Sequence, residues 1–147
     1  MPGIRYPEMI RYLWAYLVYM WGGTRRHIGI RHANKDEYLA AARLYARAFA
    51  LDSRLRPARL ERAILLWREL DRCVEAIAEF DALLAEDPAD GKARFNRAMA
   101  NQQAGHYRAA LNDIEYYLQL PEAGDTYWDT AMRMQVLLHD LVGEETG

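Results

Sequence analysis

The chain contains a single cysteine, Cys73, so no disulfide can form within it, and nothing in its cysteine usage points to an oxidising compartment. Lysine is nearly missing: arginine supplies 17 of the 19 basic residues. Only five prolines and nine glycines occur in 147 residues, and most are expected at turns and helix ends, as an all-helical chain requires. A membrane-length apolar run is also lacking. The longest, Tyr12 to Trp21, would span about 15 Å as a helix, half of a bilayer core, so it is too short to cross one. Its Tyr and Trp content and the lack of a small-residue cleavage site also set it apart from a secretory leader. No nucleophile–base arrangement, glycine-rich phosphate loop or metal-ligand spacing is found, so neither an enzyme nor a metal or cofactor site is expected. His27 and His32 lie five apart, on different sides of a helix, and Cys73 is expected to be an inert packing residue. His106 and His139 read as surface or boundary residues, and the acidic residues of the body, Glu75, Glu79 and Glu86 among them, as solvated.

What the chain does have is 52% apolar residues arranged with a period. Ala41, Ala42, Tyr45, Ala48 and Phe49 form the first set. Ala76, Ile77, Phe80, Leu83 and Leu84 repeat its spacing 35 residues later, and Ala110, Leu111, Ile114, Tyr117 and Leu118 repeat it after another 34. Each set occupies one face of a helix. Self-similarity at this period marks stacked helical hairpins, none of which buries its apolar face alone. The punctuation agrees. Asp36, Asp71 and Gly105 stand just before these helices, where a cap or tight turn is needed, and Pro88 and Pro121 force the chain to turn after the second and third. Preceding helices carry apolar faces of their own, such as Leu60, Ala63, Ile64 and Trp67.

With these residues in register the chain resembles the tetratricopeptide-repeat family. That family has a large residue at repeat position 4, small residues near 8, 20 and 27, aromatics at 11 and 24, and proline at 32. The unit 57–90 matches best, with Leu60, Ala63, Ile64, Trp67, Ala76, Phe80, Leu83 and Pro88 in place. Unit 91–124 follows, through Phe95-Asn96-Arg97-Ala98 and Gly105-His106-Tyr107. Unit 22–55 is weaker: Ile28-Gly29, Tyr38, Ala41 and Tyr45 fit, but Ser53 replaces the proline. The resemblance implies an all-α, right-handed superhelical stack of about three helix-turn-helix units. A helix over 125–142, capped by Asp125 or Thr126 and using Trp128, Ala131, Met132, Leu137, Leu138 and Leu141, would close the array, with a frayed tail from Gly143.

The resemblance also implies a concave groove lined by repeat positions 2, 5, 9 and 12, and hence a protein or peptide partner for an accessory or assembly subunit. Its candidate residues are Arg26, Ile30, Glu61, Leu65, Arg68, Lys92, Phe95, Met99 and Gln102. Ile30, Leu65 and Met99 would form an apolar strip, unless they pack between hairpins instead. The family's carboxylate clamp is not expected, because Ile30 and Leu65 replace its asparagines, while Phe95 and Met99 replace its basic groups. Apolar anchors with acidic flanks, facing Arg26, Arg68 and Lys92, are the expected ligand.

The first quarter of the chain stands apart. Six basic residues, Arg5, Arg11, Arg25, Arg26, Arg31 and Lys35, face Glu8 alone, while the remaining chain is acidic. Nucleic acid is therefore not an expected partner of the array. Segment 1–21 holds six of the 17 aromatics. Three readings stay open for its Tyr12, Trp14, Tyr16, Tyr19 and Trp21: packing on the weak first unit, docking a subunit or second copy, or an interfacial membrane anchor. A cytoplasmic placement is expected on the first two and a membrane-associated one on the third.

Overall fold

A computed structural model describes residues 6–121 and 127–145. Arg5, the expected caps Asp125 and Thr126, and residues 146–147 lie outside the described residues. Within them the regular structure is helical throughout: α1 (Tyr6–His32), α2 (Lys35–Leu51), α3 (Arg56–Arg68), α4 (Cys73–Glu86), α5 (Gly91–Gln103), α6 (Tyr107–Gln119) and α7 (Trp128–Glu145). The chain divides into two units, Met1–Asp71 and Arg72–Gly147.

In the first unit α1 lies along α2, and α2 packs on α3. The aromatic segment and the first helix of unit 22–55 are one unbroken helix of 27 residues. Gly22, Gly23 and Gly29 therefore sit inside a helix and not at a turn. Two of them have a packing reason. Ala15, Gly22 and Gly29, seven residues apart, are buried. A Cβ on Gly22 would come within 2.8 Å of the Tyr45 ring, and one on Gly29 within 2.8 Å of the Tyr38 ring. Small residues over tyrosines thus let α1 and α2 approach closely. Gly23 differs, because a Cβ there would meet only the Tyr45 hydroxyl, at 3.9 Å. Gly22→Ala is therefore expected to destabilise by about 1–2 kcal/mol, overpacking against buried Tyr45 outweighing the helix-propensity gain. Neighbouring Gly23→Ala is expected to stabilise by up to about 1 kcal/mol. Urea midpoints of the two variants check the sign reversal.

The turns show which residues do the punctuating. Ala33 ends α1 in the left-handed region, at φ 49°, and Asn34, two residues before Asp36, caps α2 by accepting the Asp36 N–H at 2.9 Å. Where the first unit lacks a proline, Asp52 turns the chain. Its buried carboxylate accepts from Arg54 through the backbone N (3.0 Å), Nε (2.9 Å) and Nη2 (2.6 Å). Before Pro88 and Pro121, Asp87 and Leu120 are extended, as residues preceding proline prefer.

In the second unit α4 packs on α5, α5 on α6, and α6 on α7. Asp90 caps α5 by accepting the Ala93 N–H at 2.9 Å. The core gathers Phe95, Ala98, Ala110, Ile114 and Tyr117 with Ala131, Leu138 and Val142 of α7. Met132 and Leu137 face solvent instead of contributing, and α7 continues to Glu145, past the expected fraying point at Gly143. His139 reaches Glu115 at 3.3 Å. Not every acidic residue of the body is solvated. Asp113 is buried and accepts from Arg94 (3.1 Å) and from both Nε and Nη2 of Arg97 (2.8 and 2.7 Å). Arg97 also reaches Asp81 at 2.8 Å, so α4, α5 and α6 are joined through one guanidinium.

The arrangement at Asp52 predicts a pH dependence. Hydrogen bonds from Arg54 outweigh the cost of burial and, with Arg11 nearby, hold the carboxyl well below its ordinary value of 3.8. A depressed folded pKa gives a contribution that is complete above the unfolded value and lost as pH falls below it. The melting-temperature gap between wild type and Asp52→Asn is thus expected to be constant near neutrality and to close progressively below about pH 4. A gap unchanged down to strong acid would contradict the ionised turn.

Candidate functional site

The first unit holds an open cleft of about 400 Å³ lined by Tyr19, Met20, Gly23, Thr24, His27, Tyr45 and Glu61. The α1 residues recur at i, i+1, i+4, i+5 and i+8, so one helix face supplies most of the wall. Gly23 makes the space: without a side chain it exposes the helix backbone beside the Tyr45 hydroxyl. The Thr24 hydroxyl donates back to the Met20 carbonyl at 3.2 Å.

Glu61 gives the cleft its charge. Arg26 Nη1 donates to Glu61 Oε2 at 2.7 Å and Nη2 to Glu69 Oε1 at 3.1 Å. Burial works against the Arg26 cation, but the two carboxylates outweigh it and hold the guanidinium protonated. Burial pushes the neighbouring Tyr45 phenol up to about 12, partly opposed by Arg26, so its hydroxyl stays neutral.

The residues expected to line a groove are placed unequally. In the first unit Arg26 is committed to Glu61 and Glu69 and is not available as a flank for acidic ligands. Glu61 lines the cleft, and Ile30 and Arg68 are exposed. Leu65 is fully buried, at 0% exposure, and is a core residue. In the second unit Lys92 is exposed and Gln102 half-buried. Phe95 is buried, stacked on Tyr127 with centroids 4.6 Å apart, and Met99 packs against the same core. The apolar strip Ile30–Leu65–Met99 is therefore not an open surface: Leu65 and Phe95 are used for folding. His27, Thr24 and Tyr45 were not legible as lining residues. The adjacent Gly22-Gly23 pair was the available signal, since two helix-interior glycines are costly and call for a close approach or an opening.

The aromatic residues of α1 also divide. Tyr12 and Tyr19 turn inward against Ala15, Ala48, Leu55 and Ala58, with the Arg54 guanidinium 5.1 Å over the Tyr12 ring. Trp14, Tyr16 and Trp21 remain exposed. Among the described residues no helix is long and apolar enough to cross a membrane.

No family model and no curated protein matches the sequence. Among solved structures the chain is similar to the second TPR domain of the human RPAP3 protein, determined by NMR in complex with the HSP70 peptide SGPTIEEVD. The match covers 85% of this chain and 98% of that one, with a TM-score of 0.67 at 20% identity. The fold is thus that of a tetratricopeptide-repeat domain, as the periodic sets and the turn residues implied.

Proposed function

We propose that the chain is a non-catalytic adaptor that holds a peptide segment of a partner protein, and that the cleft walled by α1 and α3 takes its anchoring side chain. The open face at Gly23 carries this reading. The cleft has the form of a peptide-anchor pocket: an apolar and aromatic lining from Tyr19, Met20 and Tyr45, with few polar groups to fix orientation. The peptide complex of the structurally similar TPR domain supports the ligand class. The ligand's charge is read from this chain. With Arg26 already held by Glu61 and Glu69, it is not offered to acidic flanks, and an apolar anchor fits the cleft best. A role as an accessory or assembly subunit of a larger complex follows from such a module.

The test selects nonapeptides from a random display library on the immobilised chain and measures the enriched sequences by fluorescence anisotropy. Gly23→Leu starts a side chain into the cleft, where a Cβ meets only the Tyr45 hydroxyl at 3.9 Å, and is expected to weaken binding by about tenfold or more in a chain that still folds. Undiminished affinity in a folded Gly23→Leu chain would place the ligand elsewhere.

A further inference from the structure

The face of α1 opposite Ala15, Gly22 and Gly29 is apolar and open. Its centre line is Tyr6, Ile10, Leu13, Leu17, Met20 and Thr24, the last two shared with the cleft lining, in alternating steps of three and four residues, the spacing with which one helix seats against another. Trp14 and Trp21 flank the line and are 55% and 58% exposed, while Leu17 at its middle is 59% exposed. Together these side chains offer on the order of 1,000 Å² of apolar surface. That is more than the largest patch a monomer ordinarily carries and enough for one side of a standard interface.

We infer that this stripe is a self-association surface, on which α1 of a second copy of the chain lies antiparallel about a two-fold axis. Three observations choose this occupant. The first is self-complementarity: read from either end, the line runs from a hydroxyl-bearing residue (Tyr6 or Thr24) through an aliphatic one (Ile10 or Met20) to a central leucine. An antiparallel copy therefore sets Leu13 against Leu17, Ile10 against Met20 and Tyr6 against Thr24, like against like at every level. The second is that no charged side chain lies on the line. Glu8 and Arg11 belong to the inward side, where the Glu8 carbonyl accepts from Arg54 at 3.2 Å and Arg11 lies 3.7 Å from Asp52. The third is extent, since the open side chains along the line match one side of a standard two-chain interface. Arg31, seven residues past Thr24 on the same face, is exposed, so an anionic lipid surface is the competing occupant that vesicle flotation tests.

Sedimentation equilibrium of the full chain at tens of micromolar is expected to give twice the chain mass of 17.1 kDa. Leu13→Glu combined with Leu17→Glu is expected to give the single-chain mass with unchanged helicity, because both positions are exposed. In a Cys73→Ser background, a mixture of Leu13→Cys and Leu17→Cys chains is expected to oxidise to the mixed disulfide in preference to like-with-like pairs. A wild-type mass of 17.1 kDa would overturn the inference, and so would a double variant that keeps the doubled mass. Flotation of a monomeric wild type with phosphatidylcholine–phosphatidylglycerol vesicles would assign the stripe to a lipid surface instead. Predominant like-with-like disulfides would overturn the antiparallel arrangement.

Discussion

Leu65→Glu is expected to unfold the chain, not to disarm a binding surface. Leu65 lies in the middle of α3 with no exposed surface, and its carbonyl closes the end of that helix by accepting from the Glu69 and Leu70 N–H groups. Truncation to alanine removes a well-packed side chain and is expected to cost about 2–5 kcal/mol. A carboxylate at the same place adds an unpaired buried charge, a further penalty of several kcal/mol. Against a typical domain stability of about 5–15 kcal/mol, the alanine variant should fold with a lowered urea midpoint and the glutamate variant should lose its cooperative transition. Circular dichroism at 222 nm through a urea titration checks both. A native-like midpoint for Leu65→Glu would return this residue to the surface and restore the apolar strip expected from the repeat pattern.

The second large effect is expected at Asp113. Its carboxylate is buried and holds Arg94 and Arg97, whose side chains are only 12% and 21% exposed. The hydrogen bond to Asp113, which outweighs the cost of burial, raises the Arg97 pKa further, so Arg97 does not escape by losing its proton. Asp113→Ala leaves two half-buried cations with their shared acceptor gone and is expected to cost about 3 kcal/mol. Asp81→Ala removes the other acceptor of Arg97, but that carboxylate is 57% exposed, and the expected cost is below about 1 kcal/mol. A double-mutant cycle between Asp113 and Arg97 measures the coupling. Equal losses for Asp81→Ala and Asp113→Ala would show that burial does not set the strength of this network.

The two cases show what the sequence makes legible. Helix faces with a 3.6-residue period and a 34-residue recurrence are local signals, and they located the helix pairs, the proline turns and the α7 core residues Ala131 and Leu138. Asp113 was hidden because an aspartate on a helix is more often solvated, and only the positions of Arg94 and Arg97 one helix away distinguish it. Gly22 and Gly23 look alike in sequence, yet one is closed by Tyr45 and the other opens the cleft; a distance of about one ångström decides their roles. Leu65 and Phe95 occupy repeat positions that face the groove in the family. Whether such a position is surface or core depends on what packs over it, which its own helix does not encode.

The most direct test of the cleft reading is a titration of the ¹⁵N-labelled chain with a selected peptide, followed by amide chemical shifts. The largest shifts are expected at Gly23, His27, Tyr45 and Glu61, together with loss of those shifts in Gly23→Leu. Shifts confined to the outward stripe around Leu13 and Leu17, or to helices α5 to α7, would contradict it.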